Sequence, residues 1–175
     1  MTNEEKLRKA ILYIAERYVY NAKNYPALAN LTIEQGRNFA VTHSILHVQK
    51  SMTKIARECY REASLDKVIL KEACTKMFIN ILKLAEILSI DPKILDSSMM
   101  SNPGHSIIDQ FLALSEHIGT IAAECENFDH SGFFNELVAK QAVVTIFSVT
   151  MRMSRTYADT DFDDTILSFP SYMKS

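Results

Sequence analysis

Turn-forming residues are scarce in this chain: 175 residues contain only 4 glycines and 4 prolines. An all-β sandwich or barrel needs a turn signal about every 8–12 residues, so that class is excluded. Cysteine is equally sparse. Cys59, Cys74 and Cys125 are too few, and odd in number, for a secreted disulfide framework, and none has a CxxC partner. They read as small buried hydrophobes of a reduced protein. No run nears about 18 uninterrupted apolar residues, so no membrane span is expected. The start, Met-Thr-Asn-Glu-Glu-Lys, lacks the apolar core and cleavage site of a signal peptide. Excess charge of one sign is also missing: 19 Lys+Arg against 21 Asp+Glu gives a net charge of −2. That balance argues against a basic binder of double-stranded nucleic acid. A soluble, cytoplasmic protein is expected.

What is present is helical periodicity. The chain is 47% hydrophobic and 23% charged, which excludes wholesale disorder and fits one domain. Leu7, Ile11, Ile14 and Tyr18 repeat every three to four residues and predict a first helix over about 3–22. Asn24-Tyr25-Pro26 ends it. Thr32 and Gln35 form a capping box that opens a helix reaching about Ala63. A third helix is predicted from about Asp66 to Ser89. Asp91-Pro92 starts a short fourth, which dissolves over Ser97–Gly104. The fifth spans about 105–127, with a turn at Asp129-His130-Ser131-Gly132, and the sixth about 133–155. Thr160 caps a last short helix ending at Leu167. The fold class is therefore all-α.

An internal echo organises these helices. Ile55-Ala56-Arg57-Glu58-Cys59 recurs 66 residues later as Ile121-Ala122-Ala123-Glu124-Cys125. The same offset pairs Val41 with Ile107, Ile45 with Phe111, Val48 with Leu114 and Met52 with Ile118. Downstream, Glu72-Ala73-Cys74-Thr75-Lys76 echoes Glu136-Leu137-Val138-Ala139-Lys140 at an offset of 64, which places a two-residue deletion in the turn. The expected architecture is a bundle of two pseudo-symmetric helical hairpins. Residues 32–100 form the first repeat and 101–175 the second, and residues 1–31 supply a helix packed outside them. The charge is divided the same way. Residues 1–88 carry 14 Lys+Arg against 9 Asp+Glu, and residues 89–175 carry 5 against 12. A basic hairpin packing on an acidic one follows.

The segment from Lys76 to Asp91, KMFINILKLAEILSID, resembles the second core helix of MazG-like, all-α nucleoside triphosphate pyrophosphohydrolases. Glu116-His117-Ile118-Gly119-Thr120 is similar in frame to the family's preceding Glu-Glu-x-x-Glu helix. The resemblance spans roughly residues 40–95 and, more weakly, 105–165. It implies a four-helix core and Mg²⁺ held by four carboxylates, because hard cations take oxygen ligands and the ion activates water against a phosphate. The carboxylates are largely lost here. Carried across the second repeat, the positions are Glu116, His117, Thr120, Leu137 and Lys140; in the first they are Lys50, Ser51, Lys54, Ala73 and Lys76. Glu72 and Glu136 lie one residue out of frame. A degenerate, non-catalytic member needing no cofactor is the expected reading. If the chain is active, catalysis falls to Glu116, Glu124 and Glu136, with Mg²⁺ on Glu116 and Glu136, or on Glu72 after a shift of frame.

The binding candidates lie on one helix face. His43, His47, Lys50, Lys54, Arg57 and Arg61 fall within about 40° of one line at 100° per residue, a ridge roughly 25–30 Å long. With Lys76 and Lys140 they form the candidate ligand set: lysines in place of metal carboxylates bind phosphates directly. Glu58 and Glu62, one position off, partly neutralise the ridge. A wholly solvated face is the plainer alternative. His43 and His47 have the i, i+4 spacing of metal ligands, but Ser44 stands where a metalloprotease carries Glu and no third ligand is near. Ser106, Ser115 and Ser131 lack a nucleophile-elbow pattern. Asp159–Asp164 lacks the glycine and distal glutamate of an EF-hand, and reads as carboxylates at a helix N-terminus.

Three functions follow. The first is a non-catalytic binder of a nucleotide, another phosphorylated small molecule or an acidic protein surface. The second is an Mg²⁺-dependent hydrolase releasing pyrophosphate from nucleoside triphosphates. The third is a helical scaffold for protein interactions. An exposed apolar N-terminal helix adds the expectation of a homo-oligomer.

Overall fold

The computed structural model describes residues 1–61, 64–99 and 106–167. Seven α-helices and no strand occur among them: α1 Asn3–Arg17, α2 Ile33–Cys59, α3 Lys67–Ile87, α4 Pro92–Ser98, α5 Ile107–Ser131, α6 Glu136–Tyr157 and α7 Phe162–Leu167. A 3₁₀ turn, Pro26–Asn30, precedes α2. No helix among the described residues is long and apolar enough to cross a membrane. Glu62, Ala63, the break over 100–104 and the predicted start at His105 lie outside the described residues, as does the tail from 168.

The helices pack as a bundle. Helix α2 lies along α3, α5 along α6, and the two pairs meet through α3 against α6 and α2 against α5. The predicted stripes supply the core: Val41, Ile45, Val48, Met52 and Ile55 are buried, as are Ile107, Leu114, Ile118, Ile121 and Cys125, with Phe111 half-buried. Helix α3 is covered almost all round, because α1, α2 and α6 all pack on it. Every residue from Met77 to Ala85 is buried, including Asn80 and Lys83. Phe78 of α3 meets Phe147 of α6 with ring centroids 5.3 Å apart, joining the two pairs at the centre.

The α1 stripe is covered too. Leu7, Ala10, Ile11 and Ile14 are buried against α3 and α4, so this face is not free to drive self-association.

Several boundaries differ from expectation for local reasons. Helix α1 stops at Arg17 because the following chain turns onto α2: Tyr20 stacks on Tyr25 at 4.9 Å and its hydroxyl lies 3.0 Å from Ser44 Oγ. Helix α2 ends at Cys59, four residues early. Helix α5 runs through the predicted turn to Ser131. Gly132 then stops it at φ 72°, a left-handed conformation natural to glycine, and α6 starts at Glu136 with Asn135 as its cap. Asp161, not Thr160, caps α7: its carboxylate accepts from Asp164 N, whereas Thr160 is buried and donates to Ala158 O. The capping box of Thr32 with Gln35 and the Asp91 cap form as expected.

Glu58 and Glu124, the shared glutamates of the echo, perform one task. Glu58 Oε2 accepts from the backbone N–H of Asp66, the N-cap of α3, at 2.8 Å; Glu124 Oε2 accepts from that of Asn135, the N-cap of α6, at 2.9 Å. Each is a strap from one helix to the start of the next, Glu58 from the last turn of α2 and Glu124 from about two turns before the end of α5. The first spans eight residues and the second eleven. The strapped span is thus three residues longer in the second pair, because α5 runs on to Ser131 past Glu124 whereas α2 ends at Cys59. Even so, α6 follows α5 more closely than α3 follows α2, and α6 begins 69 residues after α3. The Glu72/Glu136 echo at an offset of 64 therefore pairs the interior of one helix with the first residue of another.

Candidate functional site

The two halves of the predicted ridge part company. His43, His47, Lys50 and Lys54 turn into a cleft of about 510 Å³ between α2 and α3, also lined by Ser51, Glu72, Lys76, Ile79, Asn80 and Lys83. Tyr18 at the end of α1 and Tyr25 in the connection form its remaining wall. Arg57 and Arg61 do not line it. Arg57 is exposed, and Arg61 reaches back to Glu58 at 3.3 Å.

One carboxylate organises the lysines. Glu72 Oε1 accepts from Lys76 at 2.6 Å and from Lys54 at 2.9 Å. Those bonds, Lys76 first, hold its carboxyl down to about 2, so it is ionised throughout the physiological range. Four ammonium groups against one carboxylate leave a formal charge of +3 on the lining.

The histidines face each other, Nε2 to Nε2, at 3.1 Å. Burial lowers both pKa values; Lys83 lowers that of His43 further, and His43, Lys83 and Lys50 that of His47. Neutral imidazoles sharing one hydrogen bond result. His43 also packs edge-on against Tyr25, with centroids 5.3 Å apart. No group of three His, Cys, Asp or Glu among the described residues is placed to hold a metal.

Lys83, Asn80, Tyr18 and Tyr25 were absent from the predicted set. Lys83 is 9% exposed, donates to Asn80 Oδ1 at 3.2 Å and sits 3.5 Å above the centre of the Tyr18 ring. Burial pushes its amine down to about 8. The sequence did carry a signal: a lysine interrupting the apolar run Ile79–Ala85 is buried unless that run has a wet face.

The remaining predicted residues lie elsewhere. Lys140 pairs with Glu136 at 2.7 Å, and Arg37 binds the same carboxylate at 2.8 Å, lowering its pKa. Glu124 is engaged as a strap. Glu116 is exposed at a separate groove of about 340 Å³ between α5 and α6, lined by Asp109, Gln110, Leu112, Ala113, Val149 and Arg152. The three candidate catalytic glutamates therefore occupy three different surroundings. Among the acidic C-terminal residues, Asp163 pairs with Lys6 and Asp159 with Lys67, joining the acidic half to the basic one. Cys74 and Cys125 are buried, and burial raises both thiol pKa values, that of Cys74 to about 12.

No family model, curated protein or solved structure matches this chain.

Proposed function

We propose that the cleft between α2 and α3 binds a phosphorylated small molecule of nucleotide size directly through lysine, as a non-catalytic binding protein. The observation that carries this reading is the convergence of Lys50, Lys54, Lys76 and Lys83, from two helices, on one concave site with tyrosine and histidine walls. A volume near 510 Å³ falls within the usual range for small-molecule sites, about 300–1,000 Å³. Concavity favours a small anion over an acidic protein surface, which would need the ridge to stand outward. The hydrolase alternative, with Mg²⁺ on Glu116 and Glu136, gains no support from the surroundings of those residues.

The same proposal includes a tandem duplication and, on the apolar spacing of residues 76–91, kinship to the MazG-like proteins. Support for the duplication comes from the two glutamate straps and from matching burial. Set α3 against α6 at 69 residues, and Leu70, Ala73, Met77 and Phe78 fall on Ala139, Ala142, Ile146 and Phe147, all buried. With α2 against α5 at 66 residues, the cleft and the α5/α6 groove also correspond. His43 falls on Asp109, His47 on Ala113, Lys50 on Glu116, Asn80 on Val149 and Lys83 on Arg152.

Thermal denaturation with inorganic phosphate, pyrophosphate and nucleoside mono- and triphosphates, with and without Mg²⁺, tests the function. A ligand at 100 times its Kd adds about 2.7 kcal/mol, raising Tm by roughly 5–10 °C for a chain of this size. The expected result is a shift that does not require Mg²⁺ and is lost in Lys50→Glu/Lys54→Glu. No shift with any of these anions overturns the reading. Turnover of a triphosphate that Glu116→Gln abolishes overturns it in favour of the hydrolase.

A further inference from the structure

We propose that Lys83 is a nucleophile that captures the carbonyl group of a phosphorylated aldehyde as an imine, making the cleft a covalent binding site for compounds that carry both groups. This inference rests on the anion-binding reading above and adds to it a reacting atom.

The lysines of the cleft are not equivalent. Lys54 and Lys76 are ion-paired with the Glu72 carboxylate. Among the described residues, the contacts at the Lys83 amine are neutral: the Asn80 carbonyl oxygen at 3.2 Å and the Tyr18 ring at 3.5 Å. It is also the buried one, held within α3 among Ile79, Leu82 and Leu84 while still lining the cleft. A buried ammonium without a carboxylate loses its proton more readily than a solvated one. With the amine lowered to about 8, roughly a tenth of it is free base at pH 7. That is how a lysine becomes an imine-forming nucleophile in a partly desolvated site. Lys50 and Lys54 on the facing helix α2, with Lys76 on α3, supply the phosphate contacts.

The step balances without an oxidant or reductant. The Lys83 ammonium first gives one proton to solvent. Its lone pair then attacks the carbonyl carbon, the π electrons move to oxygen, and the oxygen takes up the proton that the nitrogen sheds. The resulting carbinolamine loses its hydroxyl as water with one further proton, and the C=N bond forms. Amine and aldehyde become imine and water. His43 and His47, neutral, 3.1 Å apart and on the cleft wall, are the groups placed to move those protons. Arg152, at the corresponding position of the α5/α6 groove, presents a guanidinium and has no such chemistry.

Pyridoxal 5′-phosphate serves as the probe, with pyridoxal lacking the phosphate and pyridoxamine 5′-phosphate lacking the carbonyl. The full chain is incubated with each, reduced with borohydride, digested and mapped by mass spectrometry. The expected result is a single adduct on Lys83, at least tenfold above any other lysine, formed at least tenfold faster than with pyridoxal and slowed by pyrophosphate. The adduct rate rises with pH around a midpoint near 8. Lys83→Arg, which keeps a cation over Tyr18, removes the adduct. Labelling spread over many lysines, or centred on Lys50, Lys54 or Lys76, overturns the inference, and the wild-type map decides this whether or not the variant folds. If pyridoxamine 5′-phosphate and phosphate bind but Lys83 is not modified, the imine fails and the anion reading stands. An adduct equally fast with pyridoxal and indifferent to pyrophosphate overturns both.

Discussion

The α2/α3 pair and the α5/α6 pair share a core and differ in what they expose. Both bury a stripe of aliphatic residues, and in both a glutamate near the end of the first helix ties down the N-cap of the second. Their outer grooves carry opposite charge: lysines and a histidine pair on one side, Asp109 and Glu116 with Arg152 on the other. The basic groove is also walled by Tyr18 and Tyr25, because α1 and its connection lie along that side. The difference teaches that burial holds core positions to narrow choices while groove positions are free to diverge. A change of charge there costs little stability.

The strongest way to break the comparison is to attack what both pairs share. Phe78→Ala empties the centre of the bundle beside Phe147 and is expected to cost about 3–5 kcal/mol in urea unfolding, with one cooperative transition retained. Two separate transitions would mean that the pairs are independent units. Charge reversal in the grooves comes next. Lys50→Glu/Lys54→Glu should weaken phosphate or pyrophosphate binding at least a hundredfold, about 2.8 kcal/mol, by calorimetry. Glu116→Lys, in the other groove, should leave it unchanged.

The straps sharpen the likeness. Glu58→Gln is expected to lose about 2 kcal/mol, because Glu58 is only 1% exposed, and Glu124→Gln about 1, because it is half-buried. Equal losses would show that burial does not set the difference. The smallest effects are in pH. Glu72 has its carboxyl depressed to about 2 when folded, so its contribution is complete above its ordinary range near 4.5 and fades as pH falls toward 2. Lys83 has its pKa lowered from 10.5 to about 8, so between those values the unfolded chain binds more protons and stability rises with pH. Glu72→Gln should flatten the acid limb and Lys83→Met the alkaline rise in chemical-denaturation profiles. The opposite changes would reverse both assignments.

Much of the fold was legible because helices announce themselves locally. The 41/45/48/52/55 stripe, the Thr32 capping box and the Asp91-Pro92 start each depend on neighbours within a turn or two. The 66-residue echo was legible for the same reason, since core positions in α2 and α5 face the same kind of partner. The second echo misled because Glu-x-x-x-Lys is a favourable pair at any depth in a helix. It marks the sixth residue of α3 and the first of α6. Likewise, the ridge was read correctly as a line, but a line on one helix does not say where a second helix covers it.

The amino-acid sequence by itself determined the all-α class, most helix boundaries to within a few residues, the buried stripes and the uneven division of charge. These follow from periodicity, capping and composition, which act over a few residues. Only the tertiary structure decided that four lysines share a cleft while Arg57 and Arg61 stand outside it. It also decided that Lys83 is buried above Tyr18 and that Glu116, Glu124 and Glu136 have different surroundings. The reason is physical: the charge state and reactivity of a side chain depend on solvation and on neighbours brought close by packing, and those neighbours come from distant parts of the chain.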